Sequence, residues 1–243
     1  MNEVNDYNCR TALLLGNESV ERLAGCHVLI VGVGGVGSYV AEAVARAGVG
    51  RMTLVDADTV APSNVNRQLP ALHSTVGQSK AEVMKRRILD INPDCRVTAV
   101  SEFVTADGAG KLLDETSPDY MVDAIDSVAP KVALIEAALR RRIKFISSMG
   151  AGGRIDPSQV RYADLSDTYH DGLARAVRQR LKRDGVRGRV PVVFSTEQPR
   201  RSSLTLTDEM PNKVSSFGTV SWLPSVFGLY LAAAAVRTLV GQH

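Results

Sequence analysis

Cysteine is scarce. Cys9, Cys26 and Cys95 are the three in 243 residues. Neither their number nor their spacing suggests a disulfide framework, and no Cys-x-x-Cys pair marks a zinc site, so a reducing, cytoplasmic setting is expected. Net charge is nearly absent too: 29 basic and 26 acidic residues leave +3. Whole-molecule charge therefore argues for no polyanionic partner, although a local concentration of charge still can. Met1-Asn2-Glu3-Val4-Asn5-Asp6 lacks the basic and apolar regions of a secretion signal. There is no internal repeat and no low-complexity tract. Hydrophobic residues at 44% and charged residues at 23% are ordinary for a soluble globular protein. The length suits one α/β domain with a C-terminal elaboration.

What is present is organised around Val28 to Asp56. A buried-type run, Val28-Leu29-Ile30-Val31, leads into Gly32-Val33-Gly34-Gly35-Val36-Gly37. Val36, Val40, Ala43, Val44 and Ala47 then fall at helical spacing, and Met52-Thr53-Leu54-Val55 ends in Asp56. Strand, glycine turn, helix, strand and terminal acid is the order of a nucleotide-binding βαβ unit. Gly32 and Gly34 let the backbone approach a phosphate, Gly37 lets helix and sheet pack closely, and the helix start offers unpaired N–H groups to an anion. Asp56 is placed to accept from ribose hydroxyls.

The fold expected is α/β: a Rossmann-like, doubly wound, mainly parallel sheet with helices on both faces and a less regular C-terminal elaboration. Residues 1–25 read as an N-terminal arm with an apolar patch, Ala12-Leu13-Leu14-Leu15, able to pack on a partner subunit. Residues 26–153 read as the nucleotide-binding half, and 154–243 as a substrate-binding elaboration with a final helix. In the first half the pattern predicts a loop over Asp58–Gln68, a helix over Ser79–Ile91, strands at Arg96–Val100 and Tyr120–Ala124, and a brief helix around Ala109–Leu113. A helix from Val128 to Leu139, ending in Arg140-Arg141-Arg142, and a strand over Lys144–Met149 follow. Lys80 in the first turn of its helix opposes the helix dipole, a conflict that an anionic ligand would remove.

In the second half a helix over Ala174–Asp184, a strand over Val190–Ser195 and polar loops at Gln198–Ser203 and Asp208–Ser216 are expected. Seven basic residues fall between Arg175 and Arg189, a density that suits either a solvated helix face or a polyanion contact. Trp222–Val240 is the most apolar segment and approaches a bilayer span in length. Pro224, Gly228, Tyr230 and Arg237 favour a buried core or dimer helix over a span, with peripheral membrane association as the weaker reading.

Asp56, Asn64, Arg67, Lys80 and Asp126 all follow strands or open helices on one side. Together they supply a ribose acceptor, cations for a polyphosphate and a carboxylate for Mg²⁺. Hydride transfer has little use for cations beside the phosphates. Adenylation of a carboxylate uses them to stabilise charge on the transferring group and on pyrophosphate.

The glycine turn, Asp56, Asn64 with Arg67-Gln68, Lys80 and Asp123-Ala124-Ile125-Asp126 resemble the ATP site of the ubiquitin-activating-enzyme-like superfamily that includes ThiF, MoeB and HesA. The resemblance over residues 10–150 implies that Gly32, Gly34, Gly35, Gly37 and Asp56 bind ATP, that Asn64, Arg67 and Lys80 contact its phosphates, and that Asp126 binds magnesium. Arg67, Lys80 and Asp126 are then the catalytic set. Arg10 resembles an arginine lent to the neighbouring subunit's ATP, which implies a homodimer. Gly150-Ala151-Gly152-Gly153-Arg154-Ile155-Asp156-Pro157 and Val193-Phe194-Ser195-Thr196-Glu197 extend the likeness to the tRNA threonylcarbamoyladenosine dehydratase branch. That branch implies a ligase-type, ATP-dependent closure of a threonyl carboxylate onto its own carbamoyl group in tRNA; on that reading the density of positive charge over Arg175–Arg189 makes this segment the expected tRNA-facing surface. A cysteine desulfurase or sulfur-acceptor protein is an implied partner. Family members often carry a cysteine before the final Ser-Phe-Gly, but Pro211-Asn212-Lys213-Val214-Ser215-Ser216-Phe217-Gly218 has none. A thioester at that place is therefore not expected. The alternatives are adenylation of a ubiquitin-like sulfur carrier, a nucleotide-binding scaffold without turnover, and an NAD-dependent oxidoreductase.

Overall fold

Short runs of β-branched and aliphatic residues give the five strands expected of the first half: β1 (His27–Val31), β2 (Arg51–Val55), β3 (Arg96–Val100), β4 (Tyr120–Asp123) and β5 (Lys144–Ser148). In this computed structural model, which describes residues 6–200, 202, 204–206 and 215–242, two more strands join them. These are β6 (Val160–Asp164) and β7 (Pro191–Ser195), and the sheet order is β3-β2-β1-β4-β5-β7-β6. All neighbours are parallel except the β6–β7 pair. The chain winds outward from β1 to β3 and returns beside β1 as β4. The crevice between β1 and β4 at their carboxyl ends is thus the topological switch point, where such sheets bind ligands.

Helices cover both faces, as the near-continuous apolar strands require. Val28 and Ile30 face a core shared with α3 (Gly37–Arg46), α4 (Lys80–Ile91) and α8 (Trp222–Leu239). Leu29 and Val31 face a second core with α5 (Gly108–Thr116), α6 (Val128–Arg141) and α7 (Gly172–Arg183). The alternation is the two-residue period of a strand buried on both sides.

Three details differ from the sequence pattern. Residues before β1 form α1 (Cys9–Leu15) and α2 (Asn17–Gly25), and Val20 and Leu23 of α2 are buried in the chain's own core. Only α1 keeps the character of an arm, with Leu13 and Leu14 exposed. β6 was not expected, because a half-exposed edge strand mixes Arg161 and Asp164 with its apolar residues. Between the two expected polar loops, Leu204–Leu206 (β8) pairs antiparallel with Ser215–Phe217 (β9), where the second loop ends. The remainder of that stretch, Asp208–Val214, lies outside the described residues, as does Met1–Asn5.

α8 is the one described helix long and apolar enough to cross a membrane, yet Leu223, Phe227, Leu231, Ala235 and Leu239 are buried in the core. Gly228 makes that packing close. A Cβ there would lie 2.5 Å from the Val36 carbonyl oxygen and 2.7 Å from Tyr39 Cβ on α3. The glycine that seemed to interrupt an apolar run is the contact point of two helices.

Candidate active site

The glycine turn is built without room for side chains. Gly32 has φ +88°, and a Cβ on it would press on the Ala124 carbonyl at 2.9 Å. A Cβ on Gly37 would fall 1.7 Å from the Gly32 carbonyl oxygen. These two contacts pull the start of α3 against β1 and the end of β4, leaving its first N–H groups at the carboxyl edge. Gly34 lies against the Gln68 amide and Gly35 against the Arg67 stem and Pro224. The loop after β2 and the start of α8 thus form the cradle's outer wall.

Asp56, one residue beyond β2, ties this turn down. Its carboxylate accepts from the Val33 N–H at 2.7 Å and the Asp58 N–H at 2.9 Å. Burial pushes its pKa up from the ordinary 3.8, opposed by the Lys80 charge and the two amides. A carboxylate oxygen has more than one lone pair, so a ribose hydroxyl can still be accepted.

Lys80 sits in the first turn of α4, its side chain only 6% exposed. Its ammonium donates to Asp58 Oδ2 at 2.7 Å, while its backbone N–H donates to the Asp58 carbonyl. Asp58, 56% exposed, thereby supplies the anion that a cation at a helix N-terminus needs. Its role as counterion was not foreseen from the sequence, although it stands two residues after Asp56.

Arg67 is half-buried along Gly35 and donates to the Ser63 carbonyl at 2.9 Å and to Asn66 Oδ1 at 2.8 Å. Burial lowers its pKa and the Asp126 charge opposes that shift, so the guanidinium and that carboxylate face the same space. Asn64 is buried, and its oxygen accepts from the Ala61 N–H at 3.1 Å, closing the loop as a cap. That leaves its amide NH₂ as the group for a ligand. Asn66 donates to the Thr219 carbonyl at 2.9 Å, fastening the loop to the segment before α8.

Asp126 is exposed, in the turn from β4 to α6. That turn is set by a lock the sequence pattern missed. Lys131 is fully buried and its ammonium donates to Asp123 Oδ2 at 2.7 Å, Ser147 Oγ at 3.0 Å and the Ser148 carbonyl at 2.9 Å. All three ammonium protons have acceptors, the condition for a tolerable buried charge. Asp123 Oδ1 accepts from the Ile125 N–H at 3.2 Å, shaping the turn that carries Asp126. A signal existed: Lys131 is three residues after Val128 and four before Ile135, on the helix's apolar face.

Asp56, Lys80, Arg67, Asn64 and Asp126 therefore meet around the glycine turn at one sheet edge. Arg10 does not join them. It is exposed in α1 and makes no ion pair or hydrogen bond with the described residues. No group of three or more His, Cys, Asp or Glu able to hold an ion is present among the described residues. The exposed Asp126 carboxylate fits magnesium arriving with a polyphosphate, since that ion takes one or two carboxylates and keeps its waters. None of the cysteines lies at this edge of its own chain: Cys26 and Cys95 are buried just before β1 and β3, and Cys9 is in α1.

A family model described as the ThiF family matches residues 7–243. The chain belongs to the ThiF family. This ThiF-family chain is 42% identical over 249 residues to the tRNA threonylcarbamoyladenosine dehydratase of Escherichia coli (strain K12), covering 96% of this chain and 92% of that one. It is 42% identical over 238 residues to the protein of the same name from Bacillus subtilis (strain 168), covering 95% and 93%. The solved structure of E. coli tRNA N6-threonylcarbamoyladenosine dehydratase, TcdA, in complex with ATP is similar at a TM-score of 0.87 and 41% identity, over 96% of this chain and 93% of that one. The similarity runs through both halves of the ThiF-family chain, including the part after residue 153.

Proposed function

We propose that this protein is an ATP-dependent tRNA threonylcarbamoyladenosine dehydratase. The observation that carries the reading is similarity to two bacterial dehydratases of that name over more than nine-tenths of each chain. An ATP-bound structure of such an enzyme shares the fold. The edge described above supplies what the reaction needs.

ATP lies with its phosphates over the glycine turn and its ribose on Asp56. The threonyl carboxylate of the modified nucleoside attacks the α-phosphorus, and pyrophosphate leaves. Arg67 and Lys80 stabilise the negative charge that develops on the phosphates, the type of preorganised electrostatics that supplies most of such a rate enhancement. Lys80 exchanges Asp58 for phosphate as its partner. Asp126 is the residue that would hold magnesium, which when bound with the nucleotide neutralises phosphate charge. The carbamoyl group of the same side chain then attacks the acyl carbon, loses its proton, and AMP departs. Nucleophile and electrophile are already on one molecule, so proximity serves in place of an enzyme thioester.

Arg10 and the exposed Leu13 and Leu14 of α1 support a homodimer in which one subunit's α1 completes its partner's site. A tRNA substrate implies a cytoplasmic enzyme, and the buried core face of α8 gives no support to membrane attachment. Incubating the protein with Mg-ATP and threonylcarbamoyl-modified tRNA, then digesting the tRNA, should give a nucleoside lighter by one water. ATP binding with no such loss of mass overturns the proposal.

A further inference from the structure

The basic segment does not stand at the ATP edge. α7 runs against the parallel strands. Its N-cap, Asp171, accepts from the Gly150 N–H just beyond β5, at the carboxyl edge, and its other end leads into a turn whose Gly188 lies against Leu139 near the end of α6, on the amino side of β5. Arg180, Lys182 and Arg183 close the helix, and Arg187 and Arg189 flank the turn after it, all exposed. Arg178 is spent on structure, donating to the Leu165 carbonyl and Thr168 Oγ1 at 2.9 and 2.7 Å.

α6 runs in the same direction, so Arg140 and Arg142 at its end and Lys144 at the start of β5 lie at that same edge. The two ends touch: a Cβ on Gly188 would lie 3.1 Å from Leu139 Cδ2. Two elements far apart in sequence thus merge into one cationic corner. Two of its acids are ion-paired. Asp184 pairs with both Arg180 and Arg183, and Glu136 pairs with Arg140. Arg142, Lys144, Lys182 and Arg187 make no ion pair among the described residues. Between α7 and the following turn opens a cavity of about 430 Å³ lined by Lys182, Arg187, Arg178 and Asp164, whose carboxylate accepts from the Ser166 and Val190 N–H groups; it is large enough for phosphate groups.

We infer that this corner at the amino edge binds the phosphate backbone of an RNA stem, away from the nucleotide being modified. The inference rests on the tRNA reading above and adds where the rest of that RNA lies. The corner and the ATP edge are separated by the length of α7, about 18 Å at 1.5 Å per residue. At the phosphate density of a duplex that is on the order of ten charges. The reacting nucleotide at the carboxyl edge and a stem crossing the amino edge are therefore contacts to one RNA lying along the α6–α7 face.

The test compares the wild type with Lys182→Glu/Arg187→Glu and with Arg142→Glu, on full-length threonylcarbamoyl-modified tRNA and on a short modified oligonucleotide limited to the loop. For full-length tRNA the double variant should raise KM tenfold or more, and Arg142→Glu should raise it in the same direction. The slope of log K against log salt should become shallower by about 0.9 for each phosphate that the variant no longer neutralises. At saturation kcat, and both constants for the oligonucleotide, should stay as in the wild type. An unchanged KM for full-length tRNA, or equal loss on both substrates, overturns the inference. If the wild type converts neither substrate, the dehydratase reading falls by itself. Anisotropy titration with unmodified tRNA then decides the corner: weaker binding by the double variant upholds it, and equal binding rejects it.

Discussion

Replacing Lys80 by methionine keeps an unbranched stem in its slot and removes the charge. The structure sets separate expectations for stability and for catalysis. The ammonium is paired with Asp58 at 2.7 Å, but the Asp58 side chain is 56% exposed. Water can take over the stranded carboxylate, so the pair contributes about 1 kcal/mol or less to folding. For a chain of this length that lowers the melting temperature by about 2–4 °C. Catalysis should suffer far more, because Lys80 is the buried cation beside Asp56 at the mouth of α4. Withdrawing one preorganised charge from a site of developing negative charge costs about 3–4 kcal/mol, or roughly 10²–10³ in rate. The assay is single-turnover AMP formation from ATP with modified tRNA, run beside a thermal melt. A rate within tenfold of wild type would refute the catalytic role. A melting temperature lowered by 10 °C or more (roughly three times the shift expected from the ion pair) would show that Lys80 is structural.

Four further outcomes follow from the geometry. Asp56→Asn should weaken ATP binding about 10–100-fold, in line with the loss of a charge-assisted hydrogen bond, measured by calorimetric titration. In the wild type, ATP affinity should fall as pH drops through the raised Asp56 pKa, above the ordinary 3.8, and this limb should vanish in the variant. Because an acid with a raised pKa favours folding when protonated, that limb cannot be a loss of stability by Asp56 itself. Gly228→Ala forces a methyl group to within 2.5 Å of the Val36 carbonyl, which should cost about 3 kcal/mol and lower melting by about 6–12 °C. Magnesium should bind measurably only when ATP is present, and Asp126→Asn should abolish that coupling while leaving ATP bound, both read by calorimetric titration. Mixing Arg10→Ala with Asp126→Ala protein should restore activity neither has alone; no recovery in confirmed mixed dimers would argue against a shared site.

The parallel half of the fold was legible because each strand is a short apolar run with its own terminator, and each helix carries a 3.6-residue stripe. The glycine turn, Asp56, Arg67 and Lys80 were legible for a related reason: polar residues at strand ends of such a sheet gather at one edge. The parts that escaped are those whose partners are distant in sequence. β6 reads as polar because one of its neighbours is solvent. Lys131 reads as a surface lysine until Asp123 and Ser147 arrive beneath it. Where the basic segment lies relative to the glycine turn could not be read, because sequence order does not show which way α7 points. Asp171 on Gly150 settles that direction.

The near-contact of Gly37 with the Gly32 carbonyl oxygen, 1.7 Å from where a Cβ would stand, bears on how this protein can vary. The anion seat is made of main chain, and main-chain atoms are the same whatever side chains surround them. Drift in neighbouring residues can retune Arg67, Lys80 or the cationic corner and leave the main-chain seat fixed. On the reading proposed above, such a seat would take phosphate, with Asp56 taking the ribose. It is blind to the base, so any preference for adenine has to be enforced by side chains elsewhere in the pocket.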